Sequence, residues 1–138
     1  MTTLDTLREL QATIGQNNAA KGFHDDKPQR ADFVEGERGD RAFENCTRHY
    51  HGNLLMLIVS EAVEAHDEIR NGHAPTETYY PNATIGDNGK PEGVPSEVAD
   101  GIIRGFDYGH RHGIDIPGMI LEKTRYNTTR PYKHGKKF

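Results

Sequence analysis

The longest run of helical periodicity, over residues 40–69, constrains the fold more than any other feature of the chain. Apolar and small side chains recur in it at intervals of three and four residues, and they are Phe43, Cys46, Tyr50, Leu54, Leu57, Ile58, Ala62, Ala65 and Ile69. This spacing predicts a long amphipathic helix. Asn71-Gly72 ends the pattern. Gly52 leaves open whether the run is one helix or a short helix followed by a long one.

A first helix is predicted over residues 4–20, because apolar side chains recur there at three- and four-residue intervals. Thr2 or Thr3 can cap its beginning, and Lys21-Gly22 should end it, since glycine is common just beyond a helix. The amino-terminal end of the chain therefore contributes a second amphipathic element.

Pro95 or Ser96 begins a third predicted helix, which Gly113 ends. Its two faces differ. Apolar side chains form one arc and are expected in the core, whereas polar side chains form the opposite arc; the two sets are Val98, Ile102, Ile103 and Phe106, and Glu97, Asp100, Arg104 and Asp107. Pro117 is suited to the first turn of a fourth helix that runs to about residue 129.

Two long segments, residues 24–40 and 72–93, are polar and interrupted by prolines and glycines, so they are predicted as loops. Loops of this length are commonly functional or disordered. No alternating β pattern is present. The sequence therefore predicts a single all-α domain over residues 1–138, similar to a four-helix bundle, with two long loops and a basic carboxyl-terminal tail.

Composition narrows the functional classes. Only 33% of the residues are apolar, so either long polar loops are present or a partner subunit completes the apolar faces. Cys46, the single cysteine, cannot form an internal disulfide, and no signal-peptide pattern is present. The longest apolar run has six residues, Leu54–Val59, which is too short for a membrane span. A soluble cytoplasmic protein is expected.

The net charge of −4 is unevenly distributed. Residues 117–138 contain six Lys/Arg and one Glu, a balance of +5, so residues 1–116 carry −9. General nucleic-acid binders usually present a basic face over their whole footprint. Nucleic acid is therefore an unlikely partner, whereas a basic end can bring phosphate-binding cations to an acidic body.

Carboxylates follow the apolar run at helical spacing. Glu61, Glu64 and Glu68 lie within about 60° of one another around a helix, and Glu97 and Asp100 repeat the three-residue spacing. Such stripes are usually solvated, and acidic residues are favoured in a first helical turn. Two pairs on two helices nevertheless offer the oxygen ligands that Mg²⁺ requires. A buried carboxylate also needs a partner, and a divalent cation between the helices would provide one.

Histidines offer a rival zinc site in two i, i+2 pairs, His49/His51 and His110/His112, with Cys46 as a further ligand. Residues two apart on a helix point to different sides, so each pair is a poor chelate. Most of these histidines are expected at the surface.

Lys123, Asn127 and Arg130 share one face of the last predicted helix. Cations near a helix carboxyl terminus stabilise the helix by interacting with its dipole, and the same groups can also bind phosphate oxygens. Phe23, at the end of the first helix, is either a core plug or a platform for a nucleobase. The pattern alone does not decide between these roles.

Taken in order, these motifs resemble the MazG-like branch of the all-α nucleoside triphosphate pyrophosphohydrolases. The resemblance covers most of the chain from about residue 52, with a weaker match at Lys21-Gly22-Phe23. Its segments are Glu61-x-x-Glu64, Lys90-Pro91-Glu92-Gly93-Val94-Pro95-Ser96, Glu97-Val98-Ala99-Asp100, Gly113-Ile114-Asp115, Glu122-Lys123, Asn127 and Arg130 through Lys137.

The resemblance implies a helical bundle that completes its active site as a homodimer or homotetramer. It implies metal-dependent hydrolysis of a (deoxy)nucleoside triphosphate to the monophosphate and pyrophosphate. Mg²⁺, with Mn²⁺ as a substitute, would be bound by Glu61, Glu64, Glu97 and Asp100. The phosphates and nucleotide would contact Lys123, Asn127, Arg130, Lys133 and Phe23.

Two departures from the family pattern matter. Ser60 stands where the family usually has the first of two adjacent glutamates. The general base is then either Glu61 or Glu68, beside the ligand Glu64. The loop between the acidic pairs is also long, and Tyr79-Tyr80 within it either belongs to a base pocket or covers the bundle. The alternative is a non-catalytic nucleotide or nucleic-acid binding protein on the same bundle.

Overall fold

The computed structural model describes residues 2–132. Its four α-helices are α1 Thr3–Ala20, α2 Glu37–Arg70, α3 Val94–His112 and α4 Ile116–Thr128, and a 3-10 helix spans Arg30–Asp32. Residues 2–132 contain no extended strand; two isolated antiparallel bridges, Tyr79 with Glu92 and Thr84 with Asp87, close the loop between α2 and α3. The all-α prediction is confirmed.

Gly52 does not interrupt helix α2. The helix is continuous over 34 residues, and it begins three residues before the predicted start. A single glycine in an exposed helix interior costs only about 1 kcal/mol relative to alanine, which the flanking turns tolerate. One long helix, rather than two, therefore carries Glu61, Glu64 and Glu68.

The helix ends follow from local chemistry. The Thr2 hydroxyl accepts a hydrogen bond from the Asp5 amide, and the Asp5 carboxylate accepts one from the Thr2 amide, which forms a capping box at the start of α1. Gly113 ends α3 with φ of 66°, a left-handed conformation that glycine adopts readily. Asp115 then caps α4 by accepting a hydrogen bond from the Gly118 amide at 3.0 Å.

Helix α3 is the central element. It packs along α2 and also against α1, while α4 packs against α1 and α3. None of the helices described has the length and hydropathy of a membrane span. The bundle therefore holds together around α3, and the α2/α3 contact is its largest.

The face of α3 that was predicted to form the core is mostly exposed, so that expectation was wrong for three of its four residues. Phe106 is 4% exposed, but the other three are not buried: Val98 54%, Ile102 56% and Ile103 38%. The buried residues of the opposite, polar arc are Glu97 and Asp107. The polar face of α3 points into the bundle because α2 and α1 supply its partners there.

Helices α1 and α3 approach closely at Gly15. A Cβ atom built at Gly15 would lie 2.0 Å from the ring of His110, so only glycine allows this contact. A Cβ atom built at Gly109 of α3 would lie 2.5 Å from the Ile116 side chain of α4 and 3.1 Å from the Gln11 side chain of α1. Small residues thus set the distance between these helices.

Replacing Gly15 with alanine should destabilise the protein by about 1–3 kcal/mol, because the added methyl group overpacks the α1/α3 contact. The measurement is the free energy of unfolding by urea. Gly105→Ala is the matched control, since no atom lies within 4 Å of a Cβ at that position. It should stabilise by up to about 1 kcal/mol through helix propensity. Equal effects of the two substitutions would contradict this packing.

Candidate metal centre

Three glutamates converge where α2 packs on α3. Each of Glu61, Glu64 and Glu97 offers one carboxylate oxygen, and these three oxygens lie within 4.8 Å of one another. Glu61 is 3% exposed and Glu97 4%, whereas Glu64 is exposed. The two helices therefore bring one predicted pair and half of the other together at an interface that is partly closed to water.

The cluster is electrostatically costly without a cation. Burial, the charge of Glu64 and a hydrogen bond between the Glu97 and Glu61 carboxyl groups raise the pKa of Glu97 to about 7. At a pKa of about 7 the Glu97 carboxyl group is protonated in part of the molecules at neutral pH. A proton thus partly neutralises the cluster at neutral pH.

Arg104 supplies a second positive charge. Its Nε donates a hydrogen bond to Oε1 of Glu61, joining a side chain that is 43% exposed to one that is buried. Lys90 also lowers the pKa of Glu97 through its charge, although its ammonium group lies 3.0 Å from the Glu92 carboxylate. Cations therefore already approach this cluster from two sides.

Asp100, the fourth predicted ligand, is half-buried and lies outside the group of three. It instead lines a cleft of about 320 Å³ together with Arg104. The cleft runs from these two residues along α3 towards Arg111. Its position beside the cluster gives room for a ligand that also contacts a cation held by the glutamates.

Phe23 lines the same cleft and is 60% exposed, so it is not a core plug. Its main-chain carbonyl accepts a hydrogen bond from Nη2 of Arg111 at 2.6 Å. The loop after α1 is thereby attached to α3, and the aromatic ring stands at the edge of the cleft. The ring is therefore accessible to a ligand in the cleft.

A buried ion-pair network lies at the far end of the cleft. It was not among the sites predicted from the sequence. Nε of Arg111 donates to Oδ2 of Asp107 at 2.9 Å, and its Nη1 donates to the Tyr50 hydroxyl at 2.8 Å. His24 Nε2 lies 2.8 Å from Oδ1 of Asp107. Burial acts to raise the pKa of Asp107, but hydrogen bonds from His24, Arg111 and Asn18 outweigh it and lower that pKa. The i, i+4 spacing of Asp107 and Arg111 was the available signal.

Glu68 and Ser60 lie apart from the cluster. The Tyr79 hydroxyl lies 3.2 Å from both Glu68 oxygens and donates to that carboxylate, which fixes the loop between α2 and α3 against α2. The Ser60 hydroxyl donates to the Leu57 carbonyl at 2.8 Å, within its own helix. Neither side chain belongs to the group of three glutamates.

The predicted phosphate-binding residues are exposed and do not line the cleft within one chain; they are Lys123 and Asn127 on α4, and Arg130 two residues after its end. The Arg130 guanidinium lies 6.0 Å from the centre of the Tyr126 ring. Lys133, the remaining predicted contact, lies outside the described residues. A single subunit therefore does not bring α4 to the acidic cluster.

The histidines separate as helical geometry predicted. The His110 ring packs towards Gly15 on α1, whereas the His112 ring lies 4.2 Å from the His51 ring on α2. Burial lowers the pKa of His112, which favours its neutral form. In residues 2–132, the group of three close metal-ligating side chains consists of glutamates and contains no histidine or cysteine.

No protein-family model, curated protein or solved structure matches the chain. The resemblance to a known family therefore rests on the order and spacing of the sequence motifs alone.

The stability of the metal-free protein should depend on pH through Glu97. Its folded-state pKa of about 7 exceeds the unfolded value near 4.5, so the folded protein binds more protons between these values. Stability contributed by the protonated group is complete below the unfolded pKa and is lost as pH rises through about 7. Urea unfolding in EDTA at about pH 5.5 and about pH 8 measures this loss.

Glu97→Gln removes the titrating group and should reduce the difference in unfolding free energy between the two pH values. Glu122→Gln, at an exposed position on α4, is the control and should retain it. An unchanged difference in Glu97→Gln would show that Glu97 titrates normally in the folded protein.

Proposed function

We propose that this protein is a metal-dependent nucleoside triphosphate pyrophosphohydrolase, which cleaves the bond between the α- and β-phosphates to give a monophosphate and pyrophosphate. The convergence of Glu61 and Glu64 from α2 with Glu97 from α3 carries the proposal. The resemblance to the MazG-like family supplies the reaction class. The all-α bundle and the adjoining cleft are consistent with both.

The donor set fits a hard divalent cation. Carboxylate oxygens are the ligands that Mg²⁺ and Mn²⁺ prefer. Opposite ligands of one octahedral Mg²⁺ stand about 4.2 Å apart, so oxygens within 4.8 Å of one another need only small side-chain movements to bind one ion. The raised pKa of Glu97 further indicates that positive charge is favoured here. Asp100, beside the cluster, can contribute to a second ion or to a bound water.

When bound, the cation would neutralise the triphosphate and lower the pKa of a coordinated water. In the proposed reaction, water oxygen attacks the α-phosphorus, the bond from that phosphorus to the bridging oxygen breaks, and pyrophosphate leaves. A carboxylate accepts the water proton. Glu61 is favoured over Glu68 for this role, because Glu61 belongs to the cluster of three glutamates and Glu68 does not.

The cleft is the proposed site of the nucleoside. It begins at Asp100 and Arg104 beside the cluster, and it passes the ring of Phe23. A triphosphate that contacts the cation would direct its sugar and base along this cleft. A single chain does not bring the exposed residues Lys123, Asn127 and Arg130 to the cluster. We therefore propose that they contact the phosphate oxygens of a substrate bound at the cluster of a neighbouring subunit.

A homodimer or homotetramer is part of the proposal. Helix α2 exposes large apolar side chains on consecutive turns, with Met56 at 61%, Val59 at 49% and Val63 at 54% exposure. Val98 and Ile102 of α3 are exposed as well. Burying such faces against a second copy would remove apolar surface from water and would account for the low apolar content of one subunit.

The alternative function, a non-catalytic nucleotide or nucleic-acid binding protein, is favoured by Ser60 alone. Its hydroxyl is bonded to the Leu57 carbonyl and supplies no carboxylate to the cluster. Salt-dependent binding of a polynucleotide in EDTA, without pyrophosphate release, would support this alternative.

Purified protein with Mg²⁺ or Mn²⁺ should release pyrophosphate from at least one member of a panel of ribo- and deoxyribonucleoside triphosphates. Glu64→Gln should reduce kcat at least about a hundredfold, as expected when a group that supports a catalytic cation is lost. Its helix content, measured by circular dichroism, should remain unchanged.

Glu44→Gln is the matched control, because Glu44 is an exposed glutamate on the same helix and pairs with Arg48. It should keep full activity. Absence of pyrophosphate release from every nucleotide with both metals would reject the proposed function.

Light scattering after size-exclusion chromatography should give the mass of a dimer or tetramer. Val59→Lys places a charge on the exposed apolar face of α2 and should shift the protein towards the monomer. Val34→Lys is the control, since Val34 is 68% exposed but lies outside the helices. A monomeric wild-type protein would contradict the oligomer.

A further inference from the structure

Arg104 occupies a distinctive position in the cleft wall. It lies seven residues after Glu97, so the two side chains extend from the same face of α3 two turns apart. Its Nε donates to Oε1 of Glu61 across the α2/α3 interface. The Arg104 side chain is 43% exposed and borders the cleft with Asp100, whereas the Glu61 side chain is buried.

The second arginine of the cleft shows why this placement matters. Arg111 has a side chain only 7% exposed, and it is held by Asp107, by the Tyr50 hydroxyl and by the Phe23 carbonyl. It is a fixed part of the bundle. Arg104 combines solvent access with a contact to the candidate metal centre, so it can leave Glu61 without breaking a buried network.

A guanidinium and a divalent cation would both bind the carboxylate of Glu61. Three carboxylates within 4.8 Å of one another require positive charge, and Arg104 provides it when no metal is bound. A cation among the three oxygens would repel the guanidinium and use the same carboxylate. The two cations therefore compete, and metal binding weakens the Arg104–Glu61 contact.

We propose that Arg104 is a placeholder cation, which holds Glu61 in the metal-free protein and is released into the cleft when a divalent cation binds. This inference deepens the proposed function, since it concerns the same metal centre. The released guanidinium remains on the cleft wall next to Asp100. There its planar set of donors can bind an oxygen of the substrate triphosphate.

The test is Mn²⁺ binding in the absence of nucleotide, measured by electron paramagnetic resonance of the unbound ion. Arg104→Gln removes the competing charge and should tighten Mn²⁺ binding about two- to fivefold, the ratio expected for loss of a partly exposed ion pair. Arg104→Lys keeps the charge but loses the guanidinium fork, so its affinity should lie nearer to the wild-type value. The melting temperature in EDTA should fall in Arg104→Gln, and Mn²⁺ should raise it by more than in wild type.

Arg8→Gln is the matched control. It removes another arginine–carboxylate contact, with Asp115, that involves neither the cluster nor the cleft. Its Mn²⁺ affinity should equal that of the wild type. Unchanged or weaker Mn²⁺ binding by Arg104→Gln would overturn the proposal. If that variant does not fold, weaker Mn²⁺ binding by Arg104→Lys than by the wild type would overturn it.

The outcome is separable from that of the proposed function. Tighter Mn²⁺ binding in Arg104→Gln without pyrophosphate release by the wild type would retain the placeholder and reject the hydrolase. Pyrophosphate release by the wild type, with no gain in Mn²⁺ affinity in Arg104→Gln, would retain the hydrolase and reject the placeholder. In an active enzyme, Arg104→Gln should also raise KM for the triphosphate, which a purely structural role would not combine with tighter metal binding.

Discussion

The contact between α2 and α3 buries carboxylates against one another, and the rest of the site depends on it. Glu61 and Glu97 are each at most 4% exposed, and Glu64 stands beside them. Like charges at such distances oppose packing unless protons or cations neutralise them. In the metal-free protein a proton on Glu97 and the guanidinium of Arg104 perform this role. The acidic part of this interface therefore favours positive charge.

This arrangement explains the unusual distribution of apolar residues. The buried residues of the polar arc of α3, Glu97 and Asp107, face partners on α2 and in the segment after α1, so the apolar arc of the same helix remains at the surface of one subunit. Phe106 is buried, but Val98 and Ile102 are more than half exposed. A second copy that covers this surface would complete the core, and the proposed oligomer and the proposed site therefore have a common origin.

Much of the fold followed from local pattern. Helix ends at Thr2, Gly113 and Asp115 are capped by residues close in sequence. Hydrophobic periodicity and capping residues therefore predicted the ends of α1, α3 and α4 closely. Gly52 could not be interpreted in this way, because helix continuity there depends on the stability of the flanking turns. The acidic pairs were also visible, since i, i+3 spacing places two carboxylates on one helical face whatever the tertiary structure.

Contacts between distant segments could not be predicted. The sequence placed Arg104 on the polar arc of α3 but gave no indication that Glu61 would be its partner, 43 residues earlier. It likewise gave no reason for Asp100 to face the cleft while Glu97 joined the cluster. Hydrophobicity alone predicts the wrong orientation for most of α3, because it does not indicate that Glu97 and Asp107 have buried partners.

We propose that Glu61, Glu64 and Glu97 together bind one divalent cation. The most direct measurement is a crystal structure of the protein grown with Mn²⁺, with data collected to show the anomalous scattering of manganese. We expect an anomalous peak at about 2.1 Å from an oxygen of each of the three carboxylates, with Arg104 turned away from Glu61. A map with no peak there, in a crystal where the three side chains keep their positions, would contradict it.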